Sequence, residues 1–405
     1  MQACRQDGYE VAASSPCQDN GFRKALEDLG YRTHHYLPND PAFDGFVRDC
    51  NPDVVVFDRF MLEEQFSWRV RAECPEALRI LDTSDLHALR RIRQRLVVKN
   101  MNPLELKPAD LACEDLYREL AAILRSDLSL LVSDAELEFL KISCGISAEL
   151  LLLSRFAINK NTSSKTKLPS FEERAHFMMI GNYTHAPNRD AFEWLKDEVW
   201  PAIAIEFKNQ GKSRPELHVY GSYIPESFKK FDDPTSGYRV KGWAHDACET
   251  LKNYRVNLAP LRFGAGIKGK VLDGWVVGTP CLATPIAAEG MHEQLSFGGY
   301  VGTNASELAK LAVQLYTEPS LWSCSQDNAS RIVEALYDRA KLDHQFRIAL
   351  CQAQSQKLIK RQRNLMGAIL WREGLRSTEF FSRWIEAKNQ FPKQSDKNKT
   401  AAGST

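Results

Sequence analysis

The stretch APLRFGAGIKGKVLDGWVVGTPCLATPIAAEGM, residues 259–291, decides how this chain is read. The apolar run RVNLAPL (255–261) that leads into it reads as a buried strand. The turn RFGAGIKGK (262–270) then holds three glycines and three cations, and a helix starts near Ile267–Lys268. Glycines let a backbone approach a ligand closely, and a helix N-terminus offers N–H groups and a partial positive charge. Arg262, Lys268 and Lys270 add full charges at the same place. The pattern predicts a site for a phosphate or diphosphate. The plainer alternative is a glycine-rich turn with solvated lysines. The string from Gly264 through Gly266 to Gly269 also satisfies the dinucleotide pattern G-x-G-x-x-G, with Glu289 20 residues further on. That pattern belongs after the first strand of a domain, and here it follows roughly the fourth.

Outward from this turn, short apolar runs alternate with amphipathic stretches. HFMMIG (176–181), LHVYG (217–221), YRVKGW (238–243) and TPCLAT (279–284) read as strands. Helices are predicted after Pro187, with Asn188 as N-cap, over 246–254, 305–317 and 327–360. A first block has the same rhythm. YEVAASS (9–15), DVVVFD (53–58), ALRILD (77–82) and SLLVSD (129–134) read as strands, with helices over 21–29, 63–73 and 110–126. Two such blocks predict an α/β protein of two parallel-sheet domains. The divisions expected are 1–158, a polar linker at 159–172, 173–360, a helix at 361–389 and a disordered tail at 390–405. The first block lacks an opening apolar strand with a Gly-rich turn, so the chain is either truncated there or missing that strand.

The 405 residues carry 53 Lys+Arg against 52 Asp+Glu, a net charge of +1. Near-neutrality argues against a dedicated nucleic-acid or membrane-surface binder, since both need a summed positive field. Ten scattered cysteines without a Cys-x-x-Cys pair read as buried, reduced thiols of a cytoplasmic protein. No apolar run approaches the ~18–20 residues of a membrane span, and no signal peptide is visible.

The segment 259–291, with IGNYTHAPNRDAFEWL (180–195) and RVKGWAHD (239–246), resembles the C-terminal domain of family 4 glycosyltransferases, the group 1 retaining enzymes of GT-B fold. The likeness is greatest to a bacterial subgroup with a PLRxGAGIKGK motif. VVFDRFMLEEQF (55–66), RILDTSDLHALRRIR (79–93) and LRSTEFFSRWIEAKN (375–389) extend it over about residues 8–390. The resemblance implies two Rossmann-like domains facing across a cleft, with the last helix crossing back to the first domain. It implies a nucleotide sugar held by the second domain and a glycan or lipid-linked acceptor held by the first; no transmembrane segment is expected, which leaves peripheral membrane contact open. It implies retention of configuration, no cofactor and no bound metal. In keeping with this, no Asp-x-Asp pair, the usual bridge between a divalent ion and a diphosphate, occurs in the sequence.

Carried onto this chain, the resemblance gives Arg262 and Lys268 the role of stabilising the leaving diphosphate, with Lys270 beside them. Gly264 and Gly266 shape the turn. Gly181 and Asn182 end the domain's first strand with their backbone toward the diphosphate. Val240 ends a strand at the nucleobase. Many relatives carry Glu-x7-Glu here. Asp273 matches the second position and would bind ribose hydroxyls, or it is a helix carboxylate paired with a lysine. The first position falls on Ala265. Glu289 either bonds the donor sugar or caps the following helix. In the first block, Asp82, Asp85 and His87 follow a strand. His87 is the candidate catalytic contact to sugar or acceptor, or a structural hydrogen-bonding residue. Asp58, beside Arg59, is a further acceptor-side candidate. Arg90, Arg91 and Arg93 read as a solvated helix face, with an anionic acceptor as the alternative. His185 lies near the diphosphate, and Trp384 reads as packing. The competing reading is a nucleotide-sugar-binding or scaffold protein that lost turnover, to which Ala265 and the missing strand point.

Overall fold

The computed structural model describes residues 1–18, 21–159 and 168–390. Most of the expected linker, at 160–167, and the expected tail from 391 onward lie outside the described residues. The first part of the chain runs α1 (Gln2–Gln6), β1 (Ala12–Ser15), α2 (Phe22–Asp28), β2 (Arg32–His35), α3 (Ala42–Cys50), β3 (Val54–Asp58) and α4 (Arg59–Glu73). It continues with β4 (Leu78–Asp82), α5 (His87–Val98), α6 (Glu114–Arg125), β5 (Leu128–Leu131), α7 (Asp134–Glu138) and β6 (Leu151–Leu153). β1 and β2 pair in parallel as a two-stranded sheet, and β3 and β4 pair in parallel in a second sheet. Sequence reading missed α1, α3, α7, β2 and β6. β2 (RTHH) is polar and β6 spans three residues, so neither shows an apolar period.

The second part runs β7 (Ala175–Asn182), α8 (Ala186–Trp194), α9 (Trp200–Asn209), β8 (Leu217–Ser222), α10 (Glu226–Lys229), β9 (Tyr238–Gly242), α11 (Ala247–Leu251) and β10 (Tyr254–Ala259). Then come α12 (Gly269–Val276), β11 (Cys281–Ala283), α13 (Pro285–Ala288), β12 (Gly299–Val301), α14 (Ala305–Thr317), α15 (Pro319–Leu336), α16 (Arg339–Arg363), α17 (Leu365–Glu373) and α18 (Arg376–Gln390). The six strands are parallel, in the order β12–β11–β10–β7–β8–β9. The chain winds outward from β7 to β9 and then returns to β10 on β7's other side. That is the doubly wound order, and its direction reverses between β7 and β10. Phe177, Met178 and Met179 are fully buried in succession, because helices cover both faces of β7.

The described residues form two compact units. One comprises residues 1–83, 120–129 and 346 onward, and the other 84–119 and 130–345. Residues 84–119 and 130–158, read from the sequence as part of the first domain, thus join the unit of the six-stranded sheet. Four local readings are corrected. The helix expected over 327–360 breaks at Tyr337–Asp338, where the Tyr337 hydroxyl donates to Met291 O at 2.9 Å and Asp338 accepts the Lys341 N–H at 3.0 Å. The helix expected at 361–389 is two helices, α17 and α18. Trp384 is exposed, its ring contacts being Phe381 and Lys388. The ten cysteines are free, but only Cys74 and Cys281 are buried. Among the described residues no helix is long and apolar enough to cross a membrane.

Candidate functional site

The cationic turn follows β10, the fourth strand of its sheet, and Asn182 ends β7, the first. These two strand ends are neighbours at the reversal point, where open α/β sheets bind ligands. Lys270 joins them. Its ammonium donates to Asn188 Oδ1 at 2.6 Å, and Asn188 Nδ2 donates to Asn182 O at 2.7 Å. Asn188 was expected as the N-cap of α8. His185 takes that position, and Asn188 is buried inside the first turn as the bridge. Gly181 is needed there, since a Cβ would lie 2.8 Å from Asn188 Cγ. Lys268 is the N-cap residue of α12. Its backbone N–H points at Met291 Sδ at 3.3 Å, and its buried ammonium donates to Gly266 O at 2.7 Å.

The other wall comes from α5 and α7 of the same unit. Arg93 was expected on a solvated face, yet it is buried. It donates to Gly264 O at 2.9 Å and to both oxygens of Glu289 at 2.6 Å. Glu289 ends α13 and holds this guanidinium rather than capping a following helix. Gly266 has φ +64° and lies against α5's entry loop, where a Cβ would come 2.8 Å from Asp85 Cβ. Only glycine meets both demands. Asp85 pairs with Arg90 and lies 3.4 Å from His87 Nε2. The first N–H groups of α5 are already satisfied. Glu119 accepts from His87 and Ala88, each at 2.8 Å, and Glu136 accepts from Leu86 at 2.7 Å. Two protein carboxylates therefore occupy that helix N-terminus, and α12 presents the one built into the cationic turn.

Burial sets the charge states. It pushes the Lys270 ammonium down to about 8 and lowers Lys268 as well, against the pull of Glu289 and Glu136. It raises Glu136, opposed by the Leu86 N–H and by Lys268. Burial, then the charges of Arg90 and Lys270, hold the His185 imidazole down to about 4, so it is neutral at pH 7. A bound diphosphate stabilises the charged lysine and raises its pKa above the free value. The part of the pyrophosphate affinity that this lysine supplies then falls, by up to about tenfold per pH unit, as pH rises through 8. Calorimetry across that range checks this, and Lys270→Met should remove this lysine's share of the fall while leaving that of Lys268.

The remaining candidates are placed as follows. Arg262 donates to Asp190 on α8 at 2.9 Å and lies over the Trp194 ring. Asp273 is half-buried and raised to about 6 by burial, with the Asp246 carboxylate next in effect. It is therefore not the lysine-paired carboxylate of the plainer reading. The Val240 N–H donates to Asp232 at 2.8 Å. Asp58 and Asp82 lie in the other unit, opposite each other at the ends of β3 and β4, and Asp58 pairs with Arg59 at 2.8 Å. Sequence reading missed Arg93, Glu119 and Glu136. Arg93 had a signal, because it falls on the buried stripe of Leu89, Ile92 and Leu96. The two glutamates had none. Among the described residues His176, Glu216 and His218 bring metal-type donor atoms within 4.8 Å of one another. Their hydrogen bonds are already made. His218 bonds Glu216 and the Tyr254 hydroxyl, each at 2.7 Å, and His176 Nδ1 accepts the Glu216 N–H at 3.1 Å.

Residues 174–318, from β7 through α14, match the family described as Glycosyl transferases group 1. No curated protein sequence matches the chain significantly. Among solved structures, HepE of Anabaena with UDP and glucose has a TM-score of 0.63 at 12% identity, over 86% of this chain and 94% of that one. Sucrose-phosphate synthase of Thermosynechococcus elongatus has 0.60 at 14%, over 86% and 90%. A glycosyltransferase of Rickettsia africae ESF-5 has 0.60 at 12%, over 85% and 90%. The fold is thus the GT-B fold of glycosyltransferases, and residues 174–318 are similar to the group 1 family.

Proposed function

We propose that the protein is a retaining, metal-independent glycosyltransferase of family 4, which moves a sugar from a nucleoside-diphosphate donor to a hydroxyl of a glycan or lipid-linked acceptor. The observation that carries this reading is the link from Lys270 through Asn188 to Asn182 across the reversal point, beside the buried Lys268. As the glycosidic bond breaks, negative charge develops on the diphosphate. Fixed cations and the α12 N–H groups are preorganised to receive it. Arg262, held by Asp190, adds charge at the start of the same turn. Asp273 serves the ribose hydroxyls. Glu289, held beside Gly264 by Arg93, supplies the carboxylate that Ala265 lacks. The free cysteines support a reducing, cytoplasmic setting.

UDP is the first nucleotide to test, since the HepE structure contains it. Calorimetry with UDP, GDP and ADP is expected to find one that binds, and Arg262→Ala and Lys268→Ala each weaken it about tenfold. Unchanged affinity in both variants would refute the site. A screen of the corresponding nucleotide sugars should reveal slow donor hydrolysis. Ala265 favours a second reading, a nucleotide-sugar-binding protein without turnover, and binding with no hydrolysis of any donor would decide for it.

A further inference from the structure

Helix α18 carries an aromatic group that the fold does not use. Its inner side is tied down. Leu375, just before the helix, and Ser382 are buried, Glu386 pairs with Arg69, and Glu379 pairs with Arg71 at 2.9 Å. On its outer side Phe380, Phe381 and Trp384 are 64%, 62% and 55% exposed. Phe381 and Trp384 stack at 5.9 Å, and Lys388 Nζ stands 5.0 Å from the Trp384 ring centre. Phe380 is four residues from Trp384 and Phe381 three, so the rings share one face. On α17, Leu365, Met366 and Ile369 are exposed as well. Large apolar side chains grouped in water mark a surface that something covers.

Charge selects the occupant. Residues 365–389 hold four cations, Arg372, Arg376, Arg383 and Lys388, and all four are exposed. They hold three acids. Glu386 is turned inward onto Arg69, and Glu379 lies between the inward Arg71 and the exposed Arg383, at 2.9 Å from each. Glu373 pairs with Arg376 at 3.0 Å, so Arg69 and Arg71 add to the positive charge of this region. The sequence after α18, FPKQSDKNKTAAGST, adds three lysines against one aspartate. The whole-chain charge of +1 does not oppose this, because charges beyond ~8 Å are screened at physiological salt. Two copies meeting symmetrically on this face would set the four cations of one against those of the other. Aromatic rings that sit at headgroup depth, flanked by cations that attract anionic headgroups, are the two components of binding at a membrane surface.

We propose that the α18 face formed by Phe380, Phe381 and Trp384, with its flanking arginines and Lys388, docks the protein on an anionic lipid bilayer. The contact is peripheral and lies in the unit that contains β3 and β4. It does not depend on the donor reading, because vesicle binding is measured with no nucleotide present.

Co-sedimentation of the full chain with phosphatidylglycerol and with phosphatidylcholine vesicles tests it. Binding to the anionic vesicles is expected, weakened by added salt, with little on phosphatidylcholine. The variant Phe380→Ser/Phe381→Ser/Trp384→Ser should lose at least about tenfold of the partitioning. Arg376→Glu/Lys388→Glu should lose a similar share, and both should keep the circular dichroism of the parent. If the triple variant loses its fold, Trp384→Ser with the charge reversal decides in its place. Absence of the parent from anionic vesicles overturns the proposal, as does undiminished binding by the variants. A parent dimer that the triple variant converts to monomer in the ultracentrifuge also overturns it, because a second copy would then cover the face.

Discussion

Lys268→Met is expected to lower kcat/KM for sugar transfer by about 10²–10³-fold while leaving the protein at least as resistant to unfolding as the parent. The two halves of this expectation have one cause. The Lys268 ammonium is buried, and burial lowers its pKa despite the carboxylates of Glu289 and Glu136 nearby. An apolar side chain of that length avoids the cost of burying the charge and gives up the bond to Gly266 O. The neighbouring Glu136, already raised by burial, can take up a proton when the lysine is gone. A cation kept where it costs stability is suited to an anion that arrives later, namely the charge on the departing diphosphate. Steady-state kinetics with the donor found by the screen, together with a thermal melt, checks both halves. A stable variant with parental turnover would remove Lys268 from the mechanism. An unstable one would mean that the lysine serves the fold.

Arg125→Met is expected to destabilise the other unit by about 3 kcal/mol at pH 7. Glu63 and Arg125 are 1% and 3% exposed and form a two-point pair, with Arg125 Nε donating to Glu63 Oε1 at 2.9 Å. Removing the guanidinium strands a carboxylate whose pKa burial already raises. An acid with a folded-state pKa above its unfolded value loses stability as pH rises between the two. The deficit of the variant should therefore shrink as pH falls toward 5 and Glu63 is protonated. Urea unfolding at both pH values measures it. Glu63→Gln in the Arg125→Met background should recover much of the loss. A deficit that does not change with pH would point to lost packing instead.

The six-stranded sheet was legible because its strands are continuous apolar runs such as HFMMIG, and the cationic turn because glycines and lysines alternate within nine residues. Less of the first block could be read. β1 was read within YEVAASS, but β2 (RTHH) is polar and has no apolar period to separate it from a loop. The site was half visible. Arg262, Lys268, Lys270 and Glu289 announced themselves by charge, but their partners did not. A buried arginine on α5 looks, by composition, like its solvated neighbours Arg90 and Arg91, and only its place on the apolar stripe distinguishes it. Trp384 was misjudged for the converse reason. An amphipathic stretch does not say which side is covered, and here Ser382 and Glu386 face inward while the rings face out.

The unit containing β3 and β4 is assembled from the first 83 residues, ten in the middle and the last stretch of the chain. Arg69 is fully buried, and one of its partners, Glu386, lies 317 residues further on. On the ribosome, that guanidinium and the surface around it stay open until synthesis is nearly finished. Loop closure over such a separation is slow and leaves apolar surface exposed meanwhile. The molecule cannot mature in the order in which it is made, and truncation from the C-terminus should harm the part of the protein that was translated first.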